Sequence, residues 1–144
     1  MSAPSLELAI ESRLENVSLV GIAVGRLAEL AGLGPDECYG IQLATVEAVT
    51  NCVRHAYRGE PGHRVRIAVT VSNADIQIRI LDEGLSVPEA KRVPVEPVVD
   101  PTDIASIPEG GRGVFLIHEL VDRVEYGLDG SSNVLTLTKV RPPA

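Results

Sequence analysis

Polar and apolar positions alternate over residues 5–12, with Leu6, Leu8 and Ile10 on one side, and this period of two predicts a short strand. Over residues 15–33 the period becomes helical: Val17, Val20, Val24, Leu27 and Leu30 or Ala31 share a face, and Gly32 and Gly34 supply the stop. Pro35 suits the first turn of a second helix, and Asp36 and Glu37 suit the positive end of its dipole. That helix is expected to run to about Tyr57, before a polar loop at 58–62. Val65, Ile67, Val69 and Val71, then Ile76, Ile78 and Ile80, alternate with polar residues on either side of a turn at 72–74, the mark of a hairpin with one buried face. Periodicity disappears over residues 85–109, where Pro88, Pro94, Pro97, Pro101 and Pro108 interrupt the chain. A loop of that length is a disordered segment or a functional lid. A short helix over 114–120 and a second hairpin, 124–128 with 134–140 around Asp129-Gly130, complete the pattern.

The order β-α-α-β-β-loop-α-β-β predicts an α+β fold, a two-layer α/β sandwich whose mostly antiparallel sheet carries helices on one face. With 144 residues and 44% hydrophobic residues, the chain supports one core, so residues 1–144 read as a single domain with a lid at 85–109. Thirteen Lys and Arg against 20 Asp and Glu leave a net charge of −7, which argues against direct nucleic-acid binding. No apolar run approaches the roughly 20 residues of a membrane span, and residues 1–8 lack the pattern of an export signal. Cys38 and Cys52 are too few for a disulfide framework or a zinc set and read as reduced thiols. A cytoplasmic location is expected.

Three features carry candidate chemistry. On the second helix Glu47, Asn51 and His55 recur at i, i+4 and i+8 as a polar stripe on an otherwise apolar segment. The plain alternative is a solvated helix edge, although such edges are usually richer in Lys and Arg. Alternation along the second strand of the first hairpin places Asp82 on the buried face, where a carboxylate is costly without a partner, and Glu83-Gly84 then reverses the chain. An Asp that merely starts a turn is the plain alternative here. Gly110-Gly111-Arg112-Gly113 opens a helix, and bare backbone at a helix start suits phosphate groups. Neither Lys91 nor Lys139 follows Gly or precedes Ser or Thr, which excludes a P-loop, and the glycines do not follow a strand, which excludes a dinucleotide fingerprint.

Together these features are more specific than any one of them. Glu47-Ala48-Val49-Thr50-Asn51 with His55-Ala56-Tyr57, then Asp82-Glu83-Gly84, then Gly111-Arg112-Gly113-Val114-Phe115-Leu116-Ile117 closely resembles the RsbW/SpoIIAB-like anti-sigma factor serine kinases of the GHKL (Bergerat) ATP-binding superfamily. The resemblance spans nearly the whole chain.

That resemblance implies binding of Mg-ATP and transfer of its γ-phosphoryl group to a serine of a STAS-domain anti-anti-sigma protein. It further implies sequestration of a sigma factor and a homodimer. Glu47 would be the general base and Asn51 the magnesium ligand. Asp82 would accept a hydrogen bond from the adenine amino group, and Gly84 would let the backbone pass close to the base. Gly111 and Gly113 would offer N–H groups to the phosphates, with positive charge from Arg112. His55 would support the neighbouring loop. His118, which follows the glycine motif on the lid-side helix, reads from its position as a surface residue.

The chain departs from the family pattern twice. Ser86 stands where a second glycine is common, and Ser131-Ser132-Asn133 stands where Gly-Thr is common, with Thr136 and Thr138 as candidate replacements. These departures favour the alternative, a nucleotide-binding anti-sigma or interaction module without phosphotransfer, whereas Glu47 and Asn51 favour the kinase.

Overall fold

The computed structural model describes residues 4–94 and 111–142. Five strands form one sheet in the order β1 (Ser5–Glu11), β2 (Arg64–Val71), β3 (Asp75–Asp82), β5 (Ser132–Val140) and β4 (Arg123–Asp129). Every neighbouring pair is antiparallel. Three helices, α1 (Val17–Leu30), α2 (Pro35–Asn51) and α3 (Gly111–Leu120), accompany the sheet.

The strand alternation does what the sequence pattern requires. Ile67 and Val69 of β2, Ile76, Ile78 and Ile80 of β3 and Leu137 of β5 are buried, and they join Val20, Val24, Ile41, Val49, Val53 and Ile117 from the helical side in one core. The alternate positions carry Arg66 beside Glu7 (3.8 Å) and Arg79 beside Asp129 (3.5 Å), exposed pairs that contribute little to stability. The α+β sandwich read from the sequence is therefore the fold.

Helix α1 ends where the glycines require. Gly32 has φ +90°, its N–H bonds to the Glu29 carbonyl, and the Leu33 N–H bonds to the Ala28 carbonyl, a Schellman arrangement. Ala31 is buried and Leu30 is 69% exposed, which settles the ambiguity at the end of the apolar stripe. On the face turned to α2, Gly21 and Gly25 let the helices come close: a Cβ on either would lie 2.6 Å from Val46 Cγ2 or Gln42 Oε1 respectively.

The second helix departs from expectation at its end. It does not continue as an α-helix to Tyr57. It stops at Asn51 and widens into a π turn, Cys52–Ala56, in which the Tyr57 N–H reaches back to the Cys52 carbonyl. The third helix already includes Gly111, three residues earlier than the sequence suggests, so Gly113 is helical and not in a preceding loop. The expected lid at 85–109 lies outside the described residues from 95 onward. Its first part, 85–94, contains a short 3₁₀ turn, Glu89–Lys91.

Candidate functional site

The glycine of α3 meets the polar stripe of α2. A Cβ placed on Gly113 would lie 2.9 Å from Glu47 Oε2 and 3.6–3.7 Å from the Asn51 amide atoms. Only a residue without a side chain lets the two helices bring these groups so near. Glu47 and Asn51 are half-buried and one helical turn apart. Gly111 and Arg112 precede Gly113 in the same helix, at the start of its described part.

Asp82, the last residue of β3, is buried at 8% exposure on the face that alternation assigned to it. Its Oδ1 accepts the Gly84 N–H and the Asn133 amide, each at 2.9 Å. Its Oδ2 lies 3.4 Å from the Cys52 thiol, a weak donor. Cys52 directly follows Asn51, so the carboxylate and the Glu47–Asn51–Gly113 group are joined through one peptide of α2.

The π turn explains how the two halves fit. The Ala56 carbonyl accepts the Leu85 N–H at 2.9 Å, and Gly84 lies so near that a Cβ there would sit 2.3 Å from the Ala56 oxygen. Tyr57 locks the same bend: its hydroxyl donates to the Arg64 carbonyl (2.7 Å) and accepts the Glu83 N–H (2.8 Å), while its ring stacks on His63 at 4.5 Å. Widened turns of this kind are frequent at functional sites. The extra residue also carries His55 off the line of Glu47 and Asn51. It is exposed, and the expected three-residue stripe is a two-residue one. His118 is half-buried and not on the surface, and its Nε2 is enclosed without a hydrogen-bond partner among the described residues.

A cleft of about 960 Å³ opens beside Asp82 and Gly84, walled by Tyr57, Arg58, His63, Arg64 and Arg66 among others. Glu47, Asn51 and Gly113 do not line it.

The sequence singles out Cys52, Tyr57 and Asn133 for other reasons and gives no sign of their places around Asp82. The first two sit in plain view near Asp82 only once the π turn is known. Asn133 is opposite Asp82 in the β3–β5 register, a pairing the sequence does not announce. The same register corrects the expectation for Thr136 and Thr138: they pair with Arg79 and Gln77, the alternate positions of β3, and so face away from Asp82.

Burial pushes the Cys52 thiol well above its ordinary value near 9.0, with the Asp82 charge and hydrogen bond adding to the effect. The folded thiol therefore keeps its proton to higher pH than the unfolded one. Its contribution to stability is complete below about 9.0 and is lost as pH rises towards the folded value. Iodoacetamide at pH 8 is expected to leave Cys52 unmodified in the folded protein and to alkylate it after denaturation, as read by peptide mass spectrometry. Rapid labelling of native Cys52 would contradict the buried thiol–carboxylate contact.

Among the described residues no helix is long and apolar enough to cross a membrane, and no group of three or more His, Cys, Asp and Glu side chains is placed to hold a metal. Residues 10–139 match the family described as the histidine kinase-like ATPase domain. The chain is 32% identical over 136 residues to the serine-protein kinase RsbW of Halalkalibacterium halodurans, covering 94% of this chain and 82% of that one. Against the serine-protein kinase RsbW of Staphylococcus epidermidis the identity is 34% over 122 residues, or 83% and 76% of the two chains. The fold matches the crystal structure of the RsbU and RsbW domains of Rv1364c from Mycobacterium tuberculosis with a TM-score of 0.65 at 16% identity. That match covers 97% of this chain and 34% of the other, so this chain spans about a third of its length.

Proposed function

We infer the function from a family premise: the chain belongs to the histidine kinase-like ATPase domain family and, within it, to the RsbW-type serine-protein kinases. It is an ATP-dependent protein serine kinase and an anti-sigma, partner-switching regulator. The finer reading is ours. The acceptor is a serine on a STAS-domain anti-anti-sigma protein, the partner held in the other state is a sigma factor, and the kinase acts as a homodimer in the cytoplasm. Contact with nucleic acid is not direct, in keeping with the net charge of −7.

The observation that carries the site assignment is the close approach of Gly113 to Glu47 and Asn51, a cradle that a single Cβ would fill. The donor set fits Mg-ATP as well. Asn51 offers one hard oxygen to magnesium, whose remaining ligands are ordinarily phosphate oxygens and water. Gly111-Arg112-Gly113, at the start of the described part of α3, offers N–H groups to the phosphates. Asp82 Oδ2 has acceptor capacity left for a purine amino group, since its present partner is a thiol at 3.4 Å.

Bound Mg-ATP supplies the phosphoryl group and the charge neutralisation that its transfer needs. Glu47 orients the substrate serine hydroxyl and takes its proton at a carboxylate oxygen. Asn51, one turn on, fixes the metal side of the site. Gly84 keeps the chain close to Ala56, so that Asp82 stays aimed at the base.

The two departures that favoured a module without phosphotransfer are bonded to each other. Ser86 Oγ donates to Asn133 Oδ1 at 2.7 Å, and Asn133 in turn holds Asp82. That arrangement supports an ordered nucleotide-binding Asp82, and the retained Glu47 and Asn51 support the kinase reading over the module.

Two measurements test it. Incubation with labelled ATP and the STAS-domain proteins of the same genome should transfer label to one serine. In a thermal-shift assay Mg-ATP at a hundredfold its Kd should stabilise the parent by about 2.7 kcal/mol, and Asn51→Ala should lose that stabilisation while keeping its ligand-free Tm. An Asn51→Ala protein that responds to Mg-ATP as the parent does would remove Asn51 from the metal site.

A further inference from the structure

Asn133 stands at a crossing of three hydrogen bonds. Its Nδ2 donates to Asp82 Oδ1 and to the Gly84 carbonyl, both at 2.9 Å, and its Oδ1 accepts from Ser86 Oγ at 2.7 Å. The orientation of the amide is forced by chemistry. Both neighbours of Nδ2 are acceptors, so a flipped amide would set oxygen against a carboxylate and a carbonyl, and it would leave the serine hydroxyl facing a donor.

The consequence falls on Asp82. Two N–H groups, from Gly84 and Asn133, converge on Oδ1, which fixes the rotation of the carboxylate. Oδ2, whose one partner among the described residues is the weak Cys52 thiol donor at 3.4 Å, keeps acceptor capacity for a further partner, and that partner must be a donor. A purine with an amino group at C6 meets this requirement. A purine with a carbonyl at C6 brings acceptor against acceptor and leaves a buried polar pair unmatched.

We propose that Asn133, clamped by Ser86, is the positioning residue that holds Asp82 as an acceptor toward the ligand and thereby sets the preference for a 6-amino over a 6-oxo purine nucleotide. The proposal rests on the ATP-binding reading above and deepens it. It also explains why Ser86 and Asn133 occur together: the hydroxyl orients the amide, and the amide orients the carboxylate.

The test measures Mg-ATP and Mg-GTP binding by calorimetry, and kcat and KM for phosphotransfer, on the full chain. Asn133→Ala should raise the Kd and KM for ATP by about tenfold or more, leave kcat near the parent value and reduce the ATP-over-GTP preference in proportion. Asn133→Asp, similar in size but with the donor replaced by an acceptor, should do worse. Asn133→Thr, which restores one donor, should recover part of the loss. Ser86→Ala should show a smaller shift of the same kind, and the double variant Ser86→Ala/Asn133→Ala should be no worse than Asn133→Ala alone. Ser86 makes its contact at an exposed position, so its variant carries the test if Asn133→Ala fails to fold. An unchanged ATP-over-GTP ratio in folded variants overturns the inference and leaves the kinase reading standing. A parent chain that binds neither nucleotide overturns both.

Discussion

Glu47→Gln is expected to bind Mg-ATP as the parent does and to transfer its phosphoryl group about 10²–10⁴-fold more slowly. The glutamine keeps the size of the side chain, which matters because Oε2 fills the space against Gly113, 2.9 Å from where a Cβ would stand. What it removes is the ability to take a proton. A residue used only in the chemical step lowers kcat without changing ground-state affinity, so the loss should appear in single-turnover transfer of labelled phosphate and not in the Kd for ATP. Glu47→Ala should be equally slow but somewhat less stable, since it empties the space beside Gly113. Transfer at the parent rate by either variant would show that Glu47 is not the base, and the site would then have to find one elsewhere.

Much of the molecule is legible in the sequence because its strands are half-buried. Period-two alternation at Val65–Val71 and Ile76–Ile80 is dictated by which side faces the helices, and the same rule correctly turned Asp82 inward. Glu47 and Asn51 were legible for a related reason, as polar side chains at helical spacing on a segment otherwise committed to the core.

What escaped depends on contacts between distant parts of the chain. Nothing in Cys52-Val53-Arg54-His55-Ala56 announces a π turn, since no proline or glycine interrupts it. The turn exists alongside a bond from Leu85 to the Ala56 carbonyl, some thirty residues away in sequence. The role of Asn133 likewise becomes visible only in the register that sets it opposite Asp82. Read alone, Ser86 and Asn133 look like two defects in a family pattern. Read in space, they are one hydrogen-bonded unit. The described part of the segment expected to form a lid is tied to the last hairpin in the same way, for Arg92 lies 5.1 Å above the Tyr126 ring and also bonds the Val87 carbonyl.

Gly84→Ala should be the most damaging single methyl group in the protein. The difficulty is room and not backbone conformation. The added Cβ would lie 2.3 Å from the Ala56 oxygen, 2.6 Å from its carbonyl carbon and 2.9 Å from its Cβ. Two of these are backbone atoms of a hydrogen-bonded turn, which cannot swing aside as the end of a long side chain can. Either the π turn or the Asp82–Gly84 bend must move, and both routes strain the bonds from Leu85 to Ala56 and from Gly84 to Asp82, each 2.9 Å in the native chain. Overpacking of this kind costs about 1–3 kcal/mol, and the broken bonds add to it, so the Tm should fall by about 5–10 °C. Because the displaced atoms include those that aim Asp82, ATP affinity should fall with stability, and raising the ATP concentration should restore only part of the Tm. Gly113→Ala is the informative contrast. Its Cβ would meet the Glu47 carboxylate at 2.9 Å, the far end of a side chain that can rotate. That variant should therefore keep most of its Tm and lose phosphotransfer, since the methyl displaces the proposed base. Thermal denaturation with and without Mg-ATP, run beside the transfer assay, separates the two. If Gly84→Ala unfolds at the parent temperature and binds ATP as tightly, the approach of the bend to the π turn does not position Asp82, and the purine end of the site must be built differently.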